Sequence, residues 1–373
     1  MRILYVNDAL AIWGGLERII VEKINYLVEE YGYEVYLLTV NQGSHPIPYS
    51  LSSRVVYHDL GISFHRQYNY SQLIRIVKRW QLNRLFVKRL RKYILNIKPD
   101  IIVSVRAELT RGIVRAKGNI PLVYESHTSR YGQKFNNSGF YAIVKAAWYN
   151  RSVRNANLVV ALTEGDASDW REINPNVTVV PNIVHLNESG KYSTCEAKSV
   201  IFVGRFSRQK DIRCLLEIWE IVHKRHQDWT LHIYGGYGEE QNELLPVIDG
   251  MQANIQVHEP TPDILEKYRE CSVSLLTSRF EPFGLVLPEA MSNGLPVVAF
   301  DCPYGPADII TDGKDGFVIK NRDIQAFAGK LCELIENKEL RLSMGHAGIL
   351  SSRRFSSDII MPMWHSLFSQ LIE

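Results

Sequence analysis

The 373-residue chain is notable first for what it lacks. No apolar run approaches the roughly 20 residues needed to span a bilayer. The opening Met1-Arg-Ile-Leu-Tyr-Val-Asn-Asp8 turns polar too soon for a secretory leader and is expected to be a first buried strand. There are only five cysteines (Cys195, Cys214, Cys271, Cys302 and Cys332), an odd set with no C-x-x-C spacing. That argues against a disulfide framework or a thiolate zinc site and for buried free thiols in a reducing compartment. The Asn-x-Ser/Thr matches at Asn136, Asn176 and Asn187 are accordingly expected to be chance. No G-x-G-x-x-G follows a strand, which weighs against a dinucleotide-dependent dehydrogenase. Acidic residues are missing from one stretch altogether: between Gly61 and Pro99 there is none, against ten basic residues.

The remaining composition is that of a soluble globular protein, 46% hydrophobic and 22% charged, long enough for two domains. The net charge of +3 hides a strong asymmetry. Residues 60–163 hold 19 Lys and Arg against Asp100, Glu108 and Glu125, so one stretch is basic and the rest is acidic.

Short β-branched runs alternate with longer helical patterns, which predicts βαβ units and parallel sheets. The first half offers strands at Ile3–Val6, Glu34–Val40, Ile101–Val105, Leu122–Glu125 and Leu158–Leu162. The second half restarts at Val200–Val203 and continues through Thr230–Tyr234, Ile255–Val257, Val273–Leu276, Val297–Phe300 and Phe317–Ile319. Between them Pro181–Cys195 is polar, turn-rich and aperiodic. The expected division is an N-terminal domain over 1–182, a linker over 183–197, a C-terminal domain over 198–354 and a final amphipathic helix over 355–373. In that helix Pro362 is expected near the first turn. Two such sheets make a cleft at the carboxyl ends of their strands, so the site is expected in loops that follow strands.

Several of those loops carry chemistry. Trp13-Gly-Gly-Leu-Glu17 follows the first strand and opens a helix, where glycine permits close backbone approach and free N–H groups favour an anion. Phe202-Val-Gly-Arg-Phe-Ser-Arg-Gln-Lys-Asp211 places Arg205 and Lys210 around a helix start, a setting suited to a diphosphate. Tyr234-Gly-Gly-Tyr-Gly238 is a weaker close-approach signal. Thr277-Ser-Arg-Phe-Glu-Pro-Phe-Gly-Leu-Val-Leu-Pro-Glu-Ala290 puts Glu281 in a loop and Glu289 on the helix expected to begin near Gly284 or Leu285. Carboxylates there can accept from sugar hydroxyls, and the helix-start N–H groups suit a phosphate. Taken singly, each of these motifs also fits a solvated turn.

In order, Gly14-Gly15, His127, Gly204-Arg205, Lys210, Glu281-Pro-Phe-Gly284 and Glu289 resemble the family 4 retaining glycosyltransferases of GT-B fold. The resemblance spans nearly the whole chain. It implies an α/β architecture of two Rossmann-like domains facing across a cleft, with the C-terminal helix crossing back to the first. By the same resemblance Gly14 and Gly15 would approach the donor diphosphate, Arg205 and Lys210 would neutralise it, and Glu281 would hold hydroxyls of the transferred sugar. The amides of Phe283, Gly284 and Leu285 would contact sugar or phosphate. Glu289 would bind the ribose, and His127 would sit near the reacting centre.

The run from Ser278 through Asp312-Gly-Lys-Asp-Gly316 resembles bacterial members that build lipopolysaccharide, capsule and lipid-linked glycans. Two departures stand out: Glu259-Pro260 where a glycine is common, and Gly305-Pro306 in place of a common Gly-Gly. The resemblance implies a nucleotide-sugar donor, with UDP preferred, and a saccharide or lipid-linked acceptor. With no Asp-x-Asp in the chain, neither metal nor cofactor is expected. Glu281 and Glu289, assigned to hydroxyl binding, leave no evident nucleophile, so the implied course is same-face attack with the leaving phosphate taking the acceptor proton. A UDP-N-acetylglucosamine 2-epimerase-like enzyme and a non-catalytic nucleotide-sugar-binding protein share the architecture and stay open at this point.

The acid-free stretch reads as a basic amphipathic helix over Ser71–Ile97. Arg84, Lys88, Arg91 and Lys92 form one stripe, Leu82, Phe86, Leu90 and Tyr93 another, and Trp80 lies near an end. Its basic residues, within 66–98, suit an anionic membrane surface. No nucleic-acid-binding motif accompanies them. The expected location is cytoplasmic, peripheral at the inner face of the membrane.

Overall fold

A computed structural model describes residues 1–135, 140–236 and 238–373. Asn136 of the first Asn-x-Ser/Thr match and Tyr237 of the glycine-rich loop lie outside the described residues. The chain divides into two compact units, Met1–Ile183 with Ser357–Glu373, and Val184–Ser356.

The first unit alternates strands and helices in the order β1 (Arg2–Asn7), α1 (Gly15–Glu29), β2 (Glu34–Thr39), β3 (Val56–Asp59), α2 (Gln72–Ile97), β4 (Ile101–Ser104), α3 (Ala107–Ala116), β5 (Leu122–Glu125), α4 (Arg130–Phe135), α5 (Phe140–Val153), β6 (Leu158–Ala161), α6 (Glu164–Arg171) and β7 (Val177–Val179). Its seven strands are parallel in the order β3-β2-β1-β4-β5-β6-β7. Central strands such as β4 (IIVS) and β5 (LVYE) are buried throughout, because helices cover both faces; the edge strand β3 is largely exposed. β3 and β7 escape the sequence reading because they are short and stand at the edges, where the apolar run is interrupted.

The second unit repeats the plan with β8 (Ser199–Val203), α7 (Ile212–His223), β9 (Thr230–Tyr234), α8 (Gln241–Gly250), β10 (Ile255–His258), α9 (Ile264–Arg269), β11 (Val273–Leu276), α10 (Val286–Ser292), β12 (Val297–Phe300), α11 (Gly305–Ile309), β13 (Gly316–Ile319), α12 (Ile324–Glu336) and α13 (Lys338–Ser352). The six parallel strands run β10-β9-β8-β11-β12-β13. Strand order reverses between β1 and β4 in the first sheet and between β8 and β11 in the second, so the loops after those neighbours diverge and leave room for a ligand.

The turn-rich segment after Ile183 is not a free linker. Asn187 N donates to Ser292 Oγ at 3.2 Å, Ser193 N to Asn293 O at 2.9 Å, and the Cys195 carbonyl accepts from Arg341 Nη2 at 2.9 Å. The final helix, α14 (Ser357–Ile372), belongs to the first unit and packs on α1. Pro362 is its sixth residue, a turn deeper than expected, where the Asp358 carbonyl loses its helical donor. All five cysteines are buried free thiols. No helix among the described residues is long and apolar enough to cross a membrane.

Candidate functional site

In the second unit, β8 and β11 are hydrogen-bonded neighbours, so the loops that leave their carboxyl ends meet. Thr277 Oγ1 donates to Lys210 O at 3.0 Å, Gln209 Nε2 to Phe280 O at 3.1 Å, and Arg279 N to Gln209 O at 2.7 Å. This lacing brings the Lys210 ammonium to 2.5 Å from Glu281 Oε1, which also accepts from Ser278 Oγ at 2.6 Å. Lys210 is 17% and Glu281 6% exposed at the side chain, so the pair is largely withdrawn from water. An ammonium has three donors, and Glu281 uses one of them.

The Glu281 backbone is held just as firmly. Its N–H donates to Pro303 O at 2.7 Å, and its carbonyl accepts from Tyr304 N at 2.8 Å and Gly305 N at 3.1 Å. A Cβ at Gly305 would come within 1.6 Å of the Phe283 carbonyl, so only glycine allows this approach. The Gly305-Pro306 departure noted above therefore keeps the glycine that the loop requires. Gly284 has φ of +101°, a value that favours glycine. It turns the chain into α10, which begins at Val286 with Leu285 at its N-cap, slightly later than the sequence pattern implies. Glu289 is buried on α10, where its carbonyl accepts from Ser292 Oγ and Asn293 Nδ2. Arg205, by contrast, projects to solvent on the loop after β8.

Sequence reasoning missed the residue that organises this corner. Asp211, at the N-cap of α7, is buried and accepts from Arg279 Nε at 2.9 Å and Arg322 Nη1 at 2.6 Å. It ties the loops after β8 and β11 to the one after β13. Only the charge of Asp211 was visible in the sequence; its partners lie far along the chain.

In the first unit Gly14 is the N-cap of α1, and Gly15 is its first residue. The Gly14 carbonyl accepts from Tyr49 OH at 3.0 Å, and a Cβ there would clash with the buried Glu17 carboxylate. Two turns along α1, Lys23 is buried and pairs with Glu125 Oε2 at the end of β5. The same oxygen lies 2.9 Å from His127 Nε2, and Lys23 Nζ sits 4.0 Å over the Trp364 ring of α14. Burial pushes the Glu125 carboxyl up, but Lys23 and His127 more than offset that and hold it below its ordinary value. Burial likewise lowers His127 despite Glu125. The imidazole is thus neutral at neutral pH, with Nε2–H donated to Glu125 and Nδ1 left as an acceptor. Behind it, Asp166 accepts from Ser126 Oγ at 2.7 Å, Trp170 Nε1 at 3.1 Å and Arg130 N at 2.9 Å, while burial pushes its carboxyl up to about 6. Neither Lys23 nor Glu125 was singled out from the sequence, because an isolated lysine on an apolar helix face carries no signal until the strand opposite it is known.

Among the described residues, no group of three or more His, Cys, Asp or Glu side chains has the arrangement of a metal site.

Comparison with known proteins covers both units. Residues 13–188 match the model described as Glycosyltransferase Family 4, and residues 191–350 match Glycosyl transferases group 1. The amylovoran biosynthesis glycosyltransferase AmsD of Erwinia amylovora is 29% identical over 385 residues, covering 99% of each chain. Among solved structures, Staphylococcus aureus TarM in complex with Fondaparinux, alpha-GlcNAc-glycerol and UDP superposes with a TM-score of 0.78 at 16% identity, over 98% of this chain and 99% of that one. Anabaena HepE in complex with UDP gives 0.76 at 18% identity, over 99% and 100%. At these identities the structural likenesses establish the fold, and the family models establish the kinship. The chain belongs to the family 4 glycosyltransferases of GT-B fold.

Proposed function

We propose that this glycosyltransferase moves a hexose or N-acetylhexosamine from a nucleotide diphosphate sugar, UDP-linked by preference, to a saccharide or lipid-linked acceptor of a cell-surface polysaccharide, with retention and without a metal ion. The observation that carries the reading is the withdrawn Lys210–Glu281 pair beside the Gly284 turn into α10. A carboxylate for sugar hydroxyls, an ammonium with spare donors and a helix start are the groups a glycosyl diphosphate needs. TarM and HepE both form complexes with UDP, and AmsD is a glycosyltransferase of amylovoran biosynthesis, which supports the same donor and product class.

In this mechanism Lys210 and Arg205 meet the charge that grows on the departing diphosphate, assisted by the amides of Phe283, Gly284 and Leu285. Preorganised donors of this kind contribute roughly 2.7–4 kcal/mol each where water is excluded. Glu281 holds hydroxyls of the sugar and Glu289 the ribose. Gly14 and Gly15 approach the diphosphate, and His127 accepts a sugar hydroxyl at Nδ1. The acceptor attacks from the face that the diphosphate leaves, and the leaving phosphate takes its proton. In this reading the basic residues of 66–98 rest on an anionic membrane surface, with the enzyme peripheral at the inner, cytoplasmic face. A panel of nucleotide sugars with a lipid-linked acceptor extract tests the reading. Acceptor-dependent nucleotide release, undiminished by a chelator and giving the donor's anomer by NMR, is expected. Conversion of the donor without acceptor, or inversion, overturns it.

A further inference from the structure

The helices α2, α3 and α5 lie side by side over the first sheet, and α2 and α3 approach closely: a Cβ at Gly112 would meet the Phe86 ring at 2.3 Å. The apolar faces, with Phe86, Leu90, Ile113 and Val153, go into the core. What remains outside is unusually one-signed. Arg111 and Arg115, four residues apart on α3, face Trp148 and Arg151 of α5 across a cavity of about 210 Å³. The Arg111 guanidinium stacks 4.2 Å from the Trp148 ring, which fixes its plane, and Arg91 Nη2 donates to the Arg115 carbonyl at 2.7 Å. Burial lowers the Arg111 guanidinium, and the charges of Arg115, Arg151 and Arg79 lower it further. Among the described residues no carboxylate pairs with Arg111, Arg115 or Arg151.

A solvated basic face usually spaces its cations with acids. Here guanidiniums converge on one cavity without counter-charge, the arrangement that forks the oxygens of a phosphate. The surroundings indicate the source of that phosphate. Trp148 is 56% exposed at the cavity rim, and on the neighbouring helix Ile76 and Trp80, 67% and 58% exposed, flank Arg79. Arg84 stacks on Trp80, Lys78 on Tyr70 and Arg75 on Tyr68. A free phosphate has no use for this apolar border, whereas aromatic and aliphatic tips interleaved with cations suit the boundary between headgroups and acyl chains.

We propose that the cavity between α3 and α5 binds the phosphate of an anionic phospholipid headgroup through Arg111, Arg115 and Arg151, with Trp148, Ile76 and Trp80 at the edge of the acyl layer. It rests on the membrane-surface part of the function proposed above and adds a discrete site to it. The test is sedimentation of the full chain with vesicles of phosphatidylcholine alone or mixed with phosphatidylglycerol. The wild type is expected to bind only the mixed vesicles. The double variant Arg111→Lys/Arg151→Lys keeps the charge but loses the fork, and is expected to bind about tenfold more weakly with an unchanged melting temperature. The control Lys88→Arg/Lys92→Arg is expected to bind like the wild type. Equal binding by the Arg→Lys variant overturns the site and leaves a diffuse electrostatic attraction. Wild type that ignores phosphatidylglycerol overturns both the site and the membrane reading. Stabilisation by inorganic phosphate, abolished in the Arg→Lys variant but without vesicle binding, overturns the lipid as its source.

Discussion

Lys210 Nζ lies 2.5 Å from Glu281 Oε1, although the two residues are 71 positions apart and leave different strands. Each therefore sets the other's charge environment before any ligand arrives. Glu281→Ala is expected to lose most of kcat, and Lys210→Ala to cost about 100-fold or more. Since each single change leaves its partner buried and unpaired, the double variant should lose less than the product of the two. Nucleotide-release kinetics on the three variants check this; strictly multiplicative losses would mean that the pair is not a unit.

Glu289→Ala is expected to behave differently. Its proposed partner, the ribose, is bound equally in ground and transition states, so the donor KM should rise with kcat little changed. A fall in kcat at saturating donor would instead put Glu289 at the chemistry.

Gly305→Ala tests the brace behind Glu281. The added methyl cannot fit beside the Phe283 carbonyl, so the Phe283-Gly284 turn must shift. A displacement of this kind is expected to lower kcat about 100-fold. The readout is activity alongside the melting temperature, and wild-type turnover would show that the turn tolerates the shift.

Glu125→Gln strips Lys23 of its counter-charge while Trp364 keeps it buried. A destabilisation of about 3–5 kcal/mol is expected, with substantial recovery in Lys23→Met/Glu125→Gln. Activity should recover less fully, because the amide that replaces the carboxylate offers His127 Nε2–H only a neutral, weaker acceptor. Urea unfolding beside turnover separates the two effects, and joint recovery would reduce the cluster to packing alone.

Asp166 should leave a mark on the pH dependence of stability. Its carboxyl titrates at about 6 in the folded chain, against an ordinary 3.8, so the folded state holds the extra proton. That contribution is present below pH ~4 and lost as pH rises through about 6, a change of about 3 kcal/mol. Glu125 and His127 are shifted down and work in the opposite sense, losing stability as pH falls. Asp166→Asn removes only the first effect. The stability difference between wild type and variant should therefore drift by that amount between pH 4 and 7, and a flat difference would rule out the raised carboxyl.

Much of this molecule was written along the chain. Largely apolar strands such as Leu122–Glu125 and Val273–Leu276 fell where the sequence placed them, since buried parallel strands need no partner to be recognisable. The glycines and charges after them marked the loops, because a backbone conformation or a helix start is a local requirement. The acid-free helix at Gln72–Ile97 announced its charge in the same way; of the apolar stripe read from its spacing, Phe86 and Leu90 are buried, Leu82 and Tyr93 only partly so, and the buried Ile94 was not in it. Tertiary structure decided which charge meets which. Only the adjacency of β8 and β11 pairs Lys210 with Glu281, only α1 lying by β5 sets Lys23 beside Glu125 and His127, and only the stacking of α3 on α5 gathers the arginines around Trp148. The reason is range: a strand or a turn is settled by neighbours a few residues away, whereas a buried ion pair or a phosphate fork needs groups brought together from far apart by packing.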